Sequence, residues 1–566
     1  MTTRATVTRR SFVAGAGAAA AALLAACSQG GDATSTSADE TEEATTTEEA
    51  TATDKATTGA TAPELAVTGG TISGATSADG SVNIYKGIPF AAPPVSDLRW
   101  KAPQPVEPWE GVRACTEYSA AAVQPEQAPF LMWTTEFIID TSKGYSEDCL
   151  YLNVWAPAEA KGAPVILYIH GGGNTSGGAS CDVYDGEAIA KKGVVYVDCN
   201  YRVGIFGFLA ASELSAEDQD GVSGNYAIKD LVAALQWIKD NIATFGGDPS
   251  NVTIAGQSAG SQNVNQLTLC PEAQGLFSNA VTMSYNLVGS QYVTLADKEA
   301  EGDAIFAGRT LEQMRALSQD EVQALTSSGL GDAVASYNVD GKWVPGNYDE
   351  VLAAGNGLDV NVVTGMVTGD STIFGSFLTG ASALNPDVTD PTTVDEYTKA
   401  AQDKLGDLAD LFLAAYPVAS DDEVAAQVAA SSADASVVQQ FVNADERKAN
   451  GAANVFVYLF THTMPGPEAE AMGAFHTADV PYWINHFSDE RADYWTDVDY
   501  ALGDAMSTYL VNLATSGDVN GSGVPEWSEY GDTVGLYTYM ELGDEVAEKT
   551  FSDDKIAFWS AYQDQQ

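Results

Sequence analysis

The chain repeatedly returns to a short, largely apolar run: Cys149–Trp155, Pro164–Ile169, Val194–Val197, Val252–Ile254, Val362–Val367 and Val455–Phe460. Several of these runs are continuous rather than alternating, which is the pattern of strands covered on both faces. Between Val194–Val197 and Val252–Ile254 the period changes. Ile228, Leu231, Val232, Leu235, Ile238 and Ile242 recur at three- and four-residue steps and share one face of a helix. Gly246-Gly247-Asp248-Pro249 and Asn251 stop that helix before the next strand. Strands alternating with helices imply an α/β architecture: a large, mostly parallel central sheet with helices on both faces. Residues 383–450, rich in Ala, Asp and Val, read as helices forming a cap or insertion beside the sheet. No repeat or second linker interrupts residues 65–566, so one domain is expected there, and a hydrophobic content of 45% is ample for its core.

The N-terminus reads as an address. Thr8-Arg9-Arg10-Ser11-Phe12 precedes an Ala-rich apolar run that ends in Leu24-Ala25-Ala26-Cys27. Basic residues, a short apolar stretch and a small-residue cleavage site make a signal peptide over residues 1–27. The paired arginines resemble a twin-arginine export signal. Leu-Ala-Ala-Cys resembles a bacterial lipobox, which would place lipid on Cys27. Residues 28–64 follow as an acidic tract rich in Thr, Ala and Glu; up to residue 62 it has no aromatic or large aliphatic side chain. Such a tract cannot bury enough to offset its ordering entropy, so it is expected to be a disordered tether. These features predict an extracytoplasmic protein, secreted and anchored by lipid to the bacterial cell membrane, with no other membrane contact.

The net charge is −52, although the first 27 residues are net positive, so the body is itself acidic. That field repels nucleic acid and argues against a nucleic-acid partner. Besides Cys27 the cysteines are Cys115, Cys149, Cys181, Cys199 and Cys270, an odd number, so at least one thiol is free or pairs between chains. Cys199 continues an apolar run and reads as a small buried hydrophobe. Neither a Cys-x-x-Cys pair nor a His-rich spacing suggests a metal, and no cofactor is expected.

The chemistry-bearing residues follow the strands. Val252-Thr253-Ile254-Ala255 runs into Gly256-Gln257-Ser258-Ala259-Gly260. A serine on a sharp strand-to-helix turn needs small neighbours, and the helix N-terminus beyond it favours developing negative charge. Pro164–Ile169 ends in His170-Gly171-Gly172-Gly173, whose bared N–H groups, with that of Ala259, can hold an oxyanion. His170 precedes this loop and reads as structural. A serine nucleophile needs a histidine base, and the base needs a carboxylate. His462, His476 and His486 follow Ser258. His462 ends a strand, His476 lies in a small-residue loop, and His486 follows an aromatic stretch. Val362–Val367 leads to Gly369-Asp370, which makes Asp370 the candidate acid.

These motifs resemble the type-B carboxylesterase family, which includes bacterial para-nitrobenzyl esterases and cholinesterases. The likeness runs from Gly87-Ile88-Pro89-Phe90-Ala91-Ala92-Pro93-Pro94-Val95 and Leu98-Arg99-Trp100 through Ser146-Glu147-Asp148-Cys149-Leu150-Tyr151-Leu152-Asn153-Val154. It continues through Asn200-Tyr201-Arg202-Val203-Gly204, Phe245-Gly246-Gly247-Asp248-Pro249 and the serine motif. It ends with Gly473-Ala474-Phe475-His476, Asp479-Val480-Pro481-Tyr482 and Gly517-Asp518-Val519-Asn520. The resemblance implies the α/β-hydrolase fold, Ser258 as nucleophile, His476 as base, Asp370 as acid, and Gly172, Gly173 and Ala259 as oxyanion donors. The implied activity is hydrolysis of small-molecule carboxylic esters through an acyl-enzyme. The alternatives are a lipase or amidase, or a non-catalytic surface binding or adhesion protein on the same fold.

The chain also departs from the family. Most members carry Glu where Asp370 stands, and a phenylalanine where Asn174 follows the glycines. The cysteine that pairs with the Cys149 position is replaced by Ala122, with Cys115 seven residues earlier. Cholinesterases have Glu at the position of Gln257, so one element of their cation site is missing, which argues against a choline ester as preferred substrate.

Overall fold

The computed structural model describes residues 61–130, 133–328, 335–531 and 537–565. The expected signal peptide, Cys27 and nearly all of the expected tether lie outside the described residues. The described chain is paired to the fold from its first residues: Thr61 bridges Ala75, and the Tyr85 hydroxyl donates to the Pro63 carbonyl at 2.8 Å.

Each of the six apolar runs forms a strand of one 11-stranded sheet. In chain order its strands are β1 (Ala75–Thr76), β2 (Val82–Pro89), β3 (Tyr151–Pro157), β4 (Ala163–Ile169), β5 (Val195–Cys199) and β6 (Gly247–Gln257). They continue with β7 (Asn279–Met283), β8 (Asn361–Val367), β9 (Val455–Phe460), β10 (Thr538–Leu542) and β11 (Val546–Thr550). The spatial order is β11-β10-β9-β8-β7-β6-β4-β5-β3-β2-β1. All pairings from β5 to β10 are parallel; the strands beyond them at either edge pair antiparallel.

The unbroken apolar runs are explained by two cores. Along β4, Val165, Leu167 and Ile169 enter one core while Ile166 and Tyr168 enter the other. β5 splits likewise, with Val195, Val197 and Cys199 against Tyr196. A strand whose alternate side chains both meet protein is apolar nearly throughout; the exception on β5 is the buried Asp198, which accepts from the Asn153 amide at 2.6 Å. Helix α1 (Tyr226–Asn241) supplies Ile228, Leu231, Leu235 and Ile238 to the first core, while Val232 is only half-buried. A 3-10 turn follows α1, and Gly246 closes it at φ 85°, where a Cβ would lie 2.3 Å from the Ala160 carbonyl oxygen.

The expected helical region 383–450 begins later, with α3 (Val394–Leu405), α4 (Ala409–Ala415) and the long α5 (Asp421–Ala449). α5 packs directly on β8 and β9. Its buried Asn443 donates to Thr364 of β8 at 3.2 Å, and Val437, Phe441 and Ala444 fill the first core. It is therefore one of the layers that cover the sheet. α6 (Asp497–Ser516) packs on β4 and β6, and its Leu510 and Leu513 belong to the second core.

Parallel register sets where function can sit. Gly256 pairs with Ile169, Gln257 with Met283, Met283 with Gly365, and Val367 with Phe460. The carboxyl ends of β4, β6, β7, β8 and β9 therefore share one edge, where the loops after them converge, as ligand sites do in such sheets. All five described cysteines are buried free thiols, so Cys115 and Cys149 are not bonded to one another. Burial pushes the Cys115 thiol up to about 11, which keeps it protonated and unreactive at neutral pH. No helix among the described residues is long and apolar enough to cross a membrane.

Candidate active site

Ser258 stands between the last residue of β6 and the first of α2 (Ala259–Leu267), with φ 57° and ψ −123°. An L-residue takes such a conformation only where its surroundings impose it. Here its N–H donates to the Met283 carbonyl at 2.9 Å, and its own carbonyl accepts from Gln262 at 3.0 Å. The flanking glycines are required by contact. A Cβ on Gly260 would lie 2.0 Å from the Ile169 carbonyl oxygen, and one on Gly256 would lie 2.6 Å from the Gly260 carbonyl carbon.

The glycine loop after β4 lies against this turn. A Cβ on Gly171 would sit 3.2 Å from the Ser258 Cβ. Gly172 and Gly173 have φ 109° and 63°, and the Gly172 carbonyl accepts from the N–H groups of Thr175 and Ser176 at 3.1 and 3.0 Å. Ala259 opens α2, so its N–H has no partner within the helix. His170 is built into the support of the loop. Its ring stacks on Tyr201 at 4.3 Å, its Nδ1 lies 2.8 Å from the Gly171 carbonyl, and its own carbonyl accepts from the Tyr201 hydroxyl. Burial holds its imidazole down at about 4, so it is neutral at physiological pH.

Asp370 and His476 meet at the same edge. Both are buried, and His476 Nδ1 lies 2.6 Å from Asp370 Oδ1. Gly369 donates to the Ala474 carbonyl at 2.8 Å and forms a parallel bridge with Phe475, so the two loops are stitched together one residue before each of these side chains. A Cβ at Gly369 would fall 2.4 Å from the Ala474 oxygen. This close approach explains how the short carboxylate of Asp370 reaches the ring. The imidazole is held edge-on by Phe374 at 4.9 Å and Trp133 at 6.4 Å, and the Trp133 indole N–H donates to Thr477.

With Nδ1–H directed to Asp370, Nε2 presents its lone pair. Gln257 Nε2 lies 3.2 Å from that nitrogen, so the residue before Ser258 touches the ring directly. Among the described residues the Ser258 hydroxyl makes no hydrogen bond. Contacts of this kind are often open in free enzymes and tighten when substrate binds. The other two histidines are paired elsewhere: His462 lies between Asp499 and Asp544 at 2.9 and 2.6 Å, and His486 lies 3.4 Å from Asp182.

Sequence reasoning passed over one buried carboxylate here. Asp479 was visible in the Asp479-Val480-Pro481-Tyr482 motif, but nothing in the motif signals its burial. The Tyr458 hydroxyl donates to it at 2.8 Å. Burial pushes its carboxyl up to about 6, the charge of nearby Asp370 adds to the rise, and the Tyr458 hydrogen bond offsets it only in part. Because the folded value lies above the unfolded one, Asp479 stabilises the fold at low pH and loses that contribution as pH rises through about 6. Asp479→Asn stays neutral. It is expected to gain on the parent by on the order of 3 kcal/mol between about pH 4 and about pH 8. Urea unfolding of both proteins across that range measures the difference, and parallel pH curves would refute it.

The carboxylesterase family matches residues 61–559. The chain belongs to the carboxylesterase family. A fumonisin B1 esterase of Sphingopyxis macrogoltabida is 32% identical over 460 residues, covering 78% of this chain and 80% of that protein. A medium-chain fatty acyl-CoA hydrolase precursor of Anas platyrhynchos is 30% identical, covering 88% and 92%. A solved PNB esterase structure superposes with a TM-score of 0.66 at 25% identity, covering 88% of this chain and 99% of that one. The carboxylesterase thus has the α/β-hydrolase fold expected from its sequence, and it is a carboxylic ester hydrolase acting on small-molecule esters.

Proposed function

We propose that this carboxylesterase works through an acyl-enzyme on Ser258. His476 Nε2 takes the hydroxyl proton as Oγ attacks the ester carbonyl. Asp370 holds the ring in the required tautomer and stabilises the imidazolium. The carbonyl oxygen gains charge within reach of the Gly172, Gly173 and Ala259 N–H groups, and the alcohol departs with the proton from His476. Water then repeats the sequence on the acyl-enzyme and restores Ser258.

The observation that carries this reading is the buried 2.6 Å contact of His476 with Asp370 at the sheet edge that ends in the Ser258 turn. A fluorophosphonate probe tests it. Mass spectrometry of the labelled protein is expected to find the phosphonyl adduct on the peptide carrying Ser258. An unlabelled protein, or an adduct on another serine, would overturn the assignment.

We also propose that the chain is exported and carries lipid on Cys27, on the strength of the paired arginines and Leu24-Ala25-Ala26-Cys27. Cys27→Ala is expected to move the expressed protein from the detergent phase to the aqueous phase on Triton X-114 partition. Equal partition of both forms would refute the anchor.

A further inference from the structure

Three N–H groups from two separate segments must converge on one oxygen if the proposed oxyanion hole is to work. Gly172 and Gly173 belong to the loop after β4, whereas Ala259 opens α2. Something must fix the loop against the helix, and a misplacement of about 1 Å can cost a hundredfold in rate.

The residue after the glycines is placed to do this. Asn174 is buried, with φ 59°. Asparagine tolerates this left-handed conformation better than most residues. Its Nδ2 donates to Gln262 Oε1 at 2.8 Å, and its Oδ1 accepts from Asn263 Nδ2 at 3.2 Å. Both partners lie in α2, the helix that Ala259 begins. The Asn174 carbonyl accepts from Gly204 N–H at 2.7 Å, which ties the same residue to the chain beyond β5. Asn263 is held in turn by the buried Tyr337 hydroxyl. A phenylalanine, the residue usual at this place in the family, could make neither amide bond.

We infer that Asn174 is a positioning residue: its carboxamide clamps the glycine loop to α2 and so sets the spacing of the three oxyanion donors. The inference rests on the acyl-enzyme reading above. The clamp acts on the tetrahedral state, in which the oxygen carries charge, more than on the bound ester. Cutting it lowers kcat and leaves KM nearly unchanged. Because the amide is buried and bonded through both its oxygen and its nitrogen, removing it also leaves Gln262 and Asn263 each short of a partner.

Asn174→Gly is the informative variant, since glycine keeps the backbone conformation and loses only the side chain. The expected result is a fall in kcat on the order of 10- to 100-fold, with KM within about threefold. Affinity for a trifluoromethyl ketone, which mimics the tetrahedral state, should weaken in proportion to kcat. Gln262→Leu breaks the same bond from the helix side without touching the loop backbone, so it serves also if Asn174→Gly fails to fold. Its loss of kcat should match in kind, and the losses of the double variant should not multiply. Unchanged kcat in either folded variant, or losses that multiply, would overturn the clamp. So would a rise in KM that accounts for the whole loss. Phosphonylation of Ser258 in the parent protein separates this outcome from failure of the acyl-enzyme reading, because the label depends on the nucleophile whatever Asn174 does.

Discussion

Ser258→Ala is expected to remove nearly all hydrolysis of short-chain nitrophenyl esters, with kcat falling by roughly 10⁴-fold or more. The fold should survive. Alanine carries the same Cβ as serine, so the cost of the φ 57° turn is unchanged, and the N–H still donates to Met283. Only the hydroxyl is removed, and with it the atom that would form the acyl bond. Initial rates across ester chain lengths, with a thermal melt of each protein, measure both halves of the expectation. A folded variant with activity within about tenfold of the parent would exclude Ser258 as nucleophile. Residual rate well above buffer but far below the parent is expected from the donors and binding pocket that remain.

The second large effect is expected at Asp370. Asp370→Asn keeps the shape of the side chain but replaces one carboxylate oxygen with an N–H donor. The ring of His476 can then turn its lone pair to Nδ1, which leaves Nε2 protonated and unable to accept from serine. A loss of kcat on the order of 10³- to 10⁴-fold follows. Asp370→Glu tests the geometry separately. The bond from Gly369 to Ala474 and the bridge from Gly369 to Phe475 draw the two loops together around the shorter side chain. An added methylene must therefore displace His476 or strain the loops, and a loss of about 10- to 100-fold is expected even though glutamate is the commoner acid among relatives. Steady-state kinetics of both variants decides the matter. Full activity in Asp370→Asn would remove Asp370 from the mechanism, and full activity in Asp370→Glu would show that the loops are not set for the shorter acid.

The position of Gln257 bears on the same base. Its amide touches the ring at the nitrogen that would receive the serine proton in the proposed mechanism. A neutral amide leaves Asp370 as the charged group bonded to the imidazole, whereas a carboxylate there would add a second. Tertiary structure thus gives a direct contact to a departure that the sequence marked only as a missing cation-site element.

Much of this was legible along the chain because the physics is local. A strand buried on both faces is apolar at most positions, so the sheet could be read from its runs. A sharp turn into a helix needs small neighbours, so the Gly256–Gly260 segment announced its serine, and three successive glycines announced a bared backbone. The helical character of residues 394–449 was likewise legible, but its role was not. Whether a helix caps a site or covers a sheet depends on which surface it packs against, and α5 chose β8 and β9. The resemblance singled out His476, but how it comes to stand with Asp370 at the edge that holds Ser258 lies in the stitching of Gly369 to the 474–475 loop, a pairing between segments far apart in sequence. The burial of Asp479 and the hold of Asn174 on Gln262 and Asn263 belong to the same class. Sequence determined the elements and the motifs that end them, because backbone conformation and periodic burial are written in neighbouring residues. Tertiary structure alone decided the partners of each polar side chain, because desolvation and hydrogen bonding depend on what distant segments bring within about 3 Å.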